Sequence, residues 1–85
     1  MELQLRFFAS IREHIGTAQL RQSFAGEGVS VAALVQSLDQ GPLPGCARWL
    51  LADNTIIAVN RVVAHPDQAL CDGDEVAFYP PVTGG

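Results

Sequence analysis

Apolar and polar side chains alternate along residues 2–8. One side of the alternation carries Leu3, Leu5 and Phe7, and the other side carries Glu2, Gln4 and Arg6. A period of two predicts a β-strand with one face in the core and the other toward solvent. Phe8 falls on the polar side, so the pattern places one aromatic ring on the outer face of the predicted sheet.

A short helix is predicted directly after this strand. Ser10 followed by Glu13 has the spacing of a capping box, in which the serine caps the helix and the glutamate reaches back to it. Ile11 and Ile15 are four residues apart and would share one face. Gly16 then provides the left-handed residue that commonly ends a helix. The prediction is a helix of about two turns.

The main helix is predicted between Ser30 and Gly41-Pro42. Ser30 is a favourable N-cap residue, and a glycine followed by a proline stops a helix. The apolar residues between them recur at i, i+3, i+4 and i+7, namely Val31, Leu34, Val35 and Leu38. This spacing gives a single apolar stripe, which indicates a helix that packs on a sheet.

Four further strands are predicted from apolar runs between turn signals. They cover residues 17–24, 56–59, 62–64 and 75–79, with a tight turn at 60–61 and a loop containing one helical turn at 42–53. In the last strand Ala77 and Tyr79 share the face opposite Val76 and Phe78. One amphipathic helix packed across a small mixed sheet buries this pattern economically, so the predicted fold class is α+β.

The amino-acid composition of the chain narrows the classes of partner that we expect it to bind. The chain has 85 residues, a net charge of −4, five arginines and no lysine. Because phosphate neutralisation supplies most nucleic-acid affinity, we expect neither a nucleic acid nor an anionic membrane as partner. No apolar run has the length of a membrane span or the character of a signal peptide, so we expect a cytoplasmic protein. Cys46 and Cys71 lack further ligands at metal-binding spacing, and we expect no metal and two small buried thiols.

The end of the sequence has a distinct chemistry. We predict a domain over residues 1–80 and a flexible tail over 81–85, since Pro80-Pro81 ends strand pairing. Glycines lack a Cβ, so Gly84 and Gly85 would let the tail enter a narrow channel in another protein. The reactive group that this tail can deliver is the Gly85 carboxylate, which ATP can activate as an acyl-adenylate and a sulfur nucleophile can convert to a thiocarboxylate. The alternative is a loose terminus with incidental glycines.

Three segments resemble one known family. They are DGDEVAFYPPVTGG at residues 72–85, LRFFASIREHIG at 5–16 and AVN at 58–60. These segments closely resemble the small subunit of molybdopterin synthase, a ubiquitin-like sulfur carrier. The resemblance implies a β-grasp fold with a short first helix and an extended C-terminal tail.

The same resemblance implies the partners and the chemistry. An ATP-dependent adenylating enzyme would activate Gly85, and a sulfur donor protein would supply the sulfur of the thiocarboxylate. The large subunit of molybdopterin synthase would receive the tail and transfer that sulfur to a pterin precursor. On this reading the chain is not an enzyme on its own, binds no cofactor tightly, and assembles into a heterotetramer with two large subunits at its centre.

The alternation of side chains along the strands, combined with the family resemblance, predicts a docking surface. In a β-grasp fold the first and last strands are parallel neighbours, so Phe8 and Tyr79 should form one exposed aromatic patch. We predict that this patch binds partners, with contributions from Val63 and Arg12. The tail residues expected to enter the partner are Pro80, Pro81, Val82, Thr83 and Gly84. The alternative is that a loop of the chain itself covers Phe8.

Three other functions remain open at this point. The chain could carry sulfur for thiamine thiazole synthesis, or it could be a protein modifier that forms isopeptides through Gly85. A modifier without lysine could not extend a chain of its own copies through lysine. The last alternative is an interaction domain in which the tail has no function.

Overall fold

A computed structural model describes residues 1–26 and 28–81. The elements follow the order predicted from the sequence, and the second strand is shorter than the predicted range of 17–24. The elements are β1 (Glu2–Phe7), α1 (Ala9–Ile15), β2 (Gln19–Ser23), α2 (Val31–Asp39), α3 (Ala47–Leu50), β3 (Ile56–Val59), β4 (Val62–Ala64) and β5 (Glu75–Tyr79).

The strands form one mixed sheet in the order β2-β1-β5-β3-β4. β1 and β5 are parallel neighbours at its centre, and the other neighbouring pairs are antiparallel. The sheet therefore brings the two ends of the domain together. This arrangement of a mixed sheet and a packed helix is the β-grasp fold, and the predicted fold class is confirmed.

The core lies between the inner face of the sheet and α2. The four stripe residues predicted for the main helix are all buried there, as are Leu3, Leu5 and Phe7 of β1. The rings of Phe7 and Phe78 stack with centroids 5.8 Å apart and join the two central strands. Burying a side chain of this size stabilises the fold by about 1.5–3 kcal/mol.

α2 begins with the predicted cap. The Ser30 Oγ accepts a hydrogen bond from the Ala33 N–H at 3.1 Å, which satisfies one of the unpaired donors of the first turn. The helix ends at Asp39, just before Gly41 and Pro42. Both boundaries of the main helix are thus close to those predicted.

α1 differs from its prediction at the start. The N-cap is Phe8, and no side chain caps the helix, so the predicted capping box at Ser10 and Glu13 is wrong. The Phe8 carbonyl accepts hydrogen bonds from the N–H groups of Ile11 and Arg12, because the chain turns directly out of β1 at Ala9, where φ is 50°. The predicted end is confirmed, since Gly16 is left-handed and its N–H donates to the Arg12 carbonyl.

The turn between β3 and β4 fixes the position of β5. Asn60 and Arg61 have φ of 50° and 70°, the signs required by the tight turns that favour hairpins. The Asn60 amide donates to Asp74 Oδ1 at 2.9 Å and accepts from the Glu75 N–H at 3.0 Å. These bonds hold the start of β5 against the hairpin.

Candidate functional site

The outer face of the sheet is defined by its strand register. Arg6 of β1 lies beside Ala77 of β5, Ala77 lies beside Ala58 of β3, and Ala58 lies beside Val63 of β4. On β1, β5 and β3 the neighbouring residues along the strand are buried in the core, so these side chains share the opposite surface, and the register places Val63 on the same side. The outer face thus has an apolar half on β5, β3 and β4.

Phe8 and Tyr79 meet on this face as predicted. Each is the residue after the Phe7–Phe78 pair of the parallel strands, so both rings emerge side by side. Their centroids are 4.4 Å apart and their planes differ by 7°, which is a stacked pair. The Phe8 N–H donates to the Phe78 carbonyl at 3.2 Å and holds the ring position. Each ring is half-buried, since each covers part of the other.

A third side chain joins the pair and was not predicted. The Arg6 guanidinium lies over the Phe8 ring, with its central carbon 5.1 Å from the ring centroid. This is the geometry of a cation–π contact. Arg6 is two residues before Phe8 and therefore on the same side of the strand. The alternation of side chains along β1 thus already places Arg6 beside Phe8. We call the three residues the Arg6–Phe8–Tyr79 stack.

The other two predicted surface residues lie apart from the stack. The Val63 side chain is 75% exposed on the same outer face, two strands away from β5 and therefore about 10 Å across the sheet. Arg12 is exposed on α1, one helical turn beyond Phe8. The guanidinium that packs on the Phe8 ring belongs to Arg6 rather than to Arg12.

The stack lies where the chain leaves the sheet. Tyr79 ends β5, Pro80 is half-buried and Pro81 is exposed. The predicted tail residues Val82, Thr83, Gly84 and Gly85 lie outside the described residues. A partner that received the tail would therefore meet the Arg6–Phe8–Tyr79 stack at the start of that tail.

Comparison with known proteins gives the family. The model of the ThiS family matches residues 5–85 of the chain. The chain belongs to the ThiS family. The residues matched by the family model therefore include the Arg6–Phe8–Tyr79 stack and extend through Gly84 and Gly85.

Two curated relatives and one solved structure are similar to the chain over nearly its whole length. The molybdopterin synthase sulfur carrier subunit of Escherichia coli is 39% identical, over 98% of this chain and 99% of that protein. Small archaeal modifier protein 3 of Haloferax volcanii is 35% identical over the full length of both. Small archaeal modifier protein 1 (SAMP1) of the same organism superposes with a TM-score of 0.81 at 25% identity and covers 100% of both chains.

A solved complex also contains a similar chain. It is the protein–protein complex of subunits 1 and 2 of the molybdopterin-converting factor from Helicobacter pylori. The matching chain is 26% identical, covers 100% of both chains and has a TM-score of 0.67.

The two cysteines of this ThiS-family chain differ in their surroundings. Cys46 is buried, as expected, and its thiol donates to the Val35 carbonyl at 3.8 Å. Burial, reinforced by the Asp39 carboxylate, raises the pKa of the Cys46 thiol to about 11. Cys71 is exposed, so its expected burial is wrong; it lies in the turn before β5, where its N–H donates to Asp74 Oδ2.

A second aromatic contact lies on the helical side of the molecule. The His14 and Trp49 rings are stacked, with centroids 3.7 Å apart and planes differing by 2°, and they join α1 to α3. The Arg48 guanidinium carbon lies 5.2 Å from the Trp49 ring centroid.

Within residues 1–26 and 28–81, no group of histidine, cysteine, aspartate and glutamate side chains could hold a metal ion. In the same residues, no helix is both long and apolar enough to cross a membrane.

Proposed function

We propose that this chain is a sulfur carrier for molybdopterin synthesis and that its working group is the Gly85 carboxylate. The observation that carries the proposal is its 39% identity, over nearly the full length, with a molybdopterin synthase sulfur carrier subunit. A second curated relative of the same name, from Haemophilus influenzae, is 36% identical over 98% of this chain. The match of the family model through residue 85 supports the terminal carboxylate as the reactive group.

The chemistry begins with activation of the carboxylate. The Gly85 oxygen attacks the α-phosphate of ATP on a dedicated adenylating enzyme, which releases pyrophosphate and forms an acyl-adenylate. A hydrosulfide ion supplied by a donor protein then attacks the acyl carbon and loses its proton. AMP leaves with the bridging oxygen, and the product is a thiocarboxylate. ATP thus binds to the activating enzyme, and the carrier itself binds no cofactor tightly.

The charged carrier then delivers its sulfur to the large subunit of molybdopterin synthase. The tail from Pro80 to Gly84 enters that subunit, and the thiocarboxylate transfers sulfur to a pterin precursor there. The chain is a non-catalytic, sulfur-donating subunit of the complex. The Helicobacter pylori complex of two molybdopterin-converting subunits supports this partner.

Because the adenylating step uses ATP, we assign the chain to the cytoplasm.

The docking surface in this proposal is the outer face beside the tail. Phe8 and Tyr79 are stacked and half-buried, and Val63 extends the apolar area on β4. Partly exposed aromatic side chains are common anchors of protein interfaces. Arg12 extends the surface onto α1.

A protein modifier is the second candidate function. The relative named small archaeal modifier protein 3 favours it, at 35% identity over the full length. In that role Gly85 would form isopeptides on other proteins, and the absence of lysine would prevent extension through lysine on this chain. A carrier for thiamine thiazole synthesis would use the same Gly85 chemistry with another acceptor.

Binding assays with purified acceptors distinguish these functions. We expect the chain to bind the large subunit of molybdopterin synthase and not a thiazole synthase. Deleting Gly84 and Gly85 should abolish sulfur transfer to the pterin precursor. Preferential binding to the thiazole synthase would assign the other pathway, and Gly85-dependent conjugates in cell extract would assign the modifier role. Unchanged sulfur transfer after the deletion would contradict every proposed function in which Gly85 is the reactive residue.

A further inference from the structure

Arg6 is a half-buried cation in the middle of the outer face. Its guanidinium packs on Phe8, and its nearest strand neighbours on either side are Ala77 and Gln19. In the part of the chain that the structure describes, the ion pair present is Arg21 with Glu2 at 3.2 Å, and no carboxylate lies within ion-pair distance of Arg6. Arg6 therefore carries a charge that the described part of the fold does not neutralise.

A shallow groove of about 220 Å³ opens beside Arg6. It runs between β1 and β2 and is lined by Gln4, Leu5, Arg6, Gln19, Leu20 and Arg21. The outward-facing members of this set are two amides and two guanidiniums, so hydrogen-bond donors dominate the groove. The nearby carboxylates are Glu2, which pairs with Arg21, and Glu75, which lies beside Gln4. A groove rich in hydrogen-bond donors favours a complementary ligand that carries a carboxylate.

We propose that this groove receives a carboxylate-bearing segment of the large subunit, and that Arg6 is the residue that selects it. The proposal rests on the function given above and specifies the chemistry of the partner at the docking surface. A guanidinium presents a planar fork of donors that matches the two oxygens of a carboxylate. Contact with Phe8 already orders the Arg6 side chain, so less conformational entropy is lost when the partner binds.

The position of the groove connects it to the tail. Arg6 contacts Phe8, Phe8 stacks on Tyr79, and Tyr79 is the last residue of β5. A partner that covers the stack while it receives the tail also contacts Arg6, which lines the groove. Removing water from Arg6 would strengthen its attraction to an opposing carboxylate and would make an apolar opposing residue unfavourable.

The test compares the affinities of Arg6→Leu, Arg6→Glu and Arg6→Lys for the isolated large subunit. Because the loss of a desolvated charge pair is costly, we expect Arg6→Leu to weaken binding by about tenfold to a hundredfold. Arg6→Glu should weaken it further through like-charge repulsion, and Arg6→Lys should retain part of the affinity. Raising the salt concentration should weaken wild-type binding more than Arg6→Leu binding.

Arg48→Leu is the matched control. It removes the same charge and a similar guanidinium–aromatic contact, 5.2 Å from Trp49, on the helical side of the molecule. We expect it to leave affinity unchanged, and thermal unfolding of each variant confirms that it is folded. Equal affinities of wild type, Arg6→Leu and Arg6→Glu, with Phe8→Ala still impaired, would overturn the role of Arg6 and leave the docking surface intact. Unchanged affinity in Phe8→Ala as well would overturn the docking surface itself.

Discussion

Phe8 serves both the fold and the outer face. Its backbone caps α1, and its ring stacks on Tyr79 and under Arg6. Strand parity predicted the direction of the ring, and the parallel pairing of β1 with β5 predicted its partner. Alternation alone directs the Arg6 side chain toward solvent and does not predict that its guanidinium packs on the Phe8 ring.

Replacing Phe8 or Tyr79 with alanine should weaken binding to the large subunit. We expect a loss of about thirtyfold or more for each, the effect of an interface hot spot of about 2 kcal/mol. Isothermal titration with the purified subunit measures it. Full affinity in both variants would remove the stack from the docking surface.

Val62 and Val63 form a matched pair on β4. Their side chains are 69% and 75% exposed, and they point to opposite faces of the sheet. We expect Val63→Ala to weaken binding to the large subunit by a few-fold, about 1 kcal/mol or less, and Val62→Ala to have no effect. The same titration measures both. Equal effects of the two changes would contradict the assignment of the outer face.

Cys46 links stability to pH. Burial raises the pKa of its thiol from 9.0 to about 11, so the neutral thiol is favoured in the folded state. Its contribution to the free energy of unfolding is fully present below pH 9.0 and is lost as pH rises through about 11. Urea unfolding across this range should show a steeper loss of stability in wild type than in Cys46→Ala. Cys71→Ala, which changes the exposed thiol, should behave as wild type; identical slopes in all three proteins would contradict the assignment.

At the scale of elements, helix α2 was predictable and the start of α1 was not. The period of Val31, Leu34, Val35 and Leu38 reflects one packing face, and Ser30 caps it locally. The start of α1 depends on a distant contact instead. Hydrogen bonding of Phe8 to Phe78 on β5 fixes where the strand ends, and this overrides the local capping signal of Ser10.

Ser30→Ala should destabilise the protein by about 1 kcal/mol, because the first turn of α2 loses its side-chain acceptor. Ser37→Ala is the control, since Ser37 is exposed within the same helix. Urea unfolding of the two variants measures the difference. Equal stability of Ser30→Ala and wild type would contradict the capping role.

At the scale of the whole molecule, alternation and turn signals were sufficient for the element order but not for the strand order. The parallel pairing of β1 with β5 joins residues about 70 positions apart, and local patterns carry no information on such contacts. The resemblance supplied that pairing, and the register then placed Phe8, Tyr79 and Val63 on one face. The contact between His14 and Trp49 joins two short helices and had no sequence signal.

The Gly85 carboxylate carries the central claim, and intact-protein mass spectrometry tests it most directly. The chain is incubated with its adenylating enzyme, ATP and a sulfur source, and Gly85 deletion is the control. We predict a mass gain equal to the replacement of one oxygen by sulfur, dependent on ATP and absent from the deletion variant. With an adenylating enzyme shown to be active, an unchanged mass of the wild-type chain would contradict the carrier function.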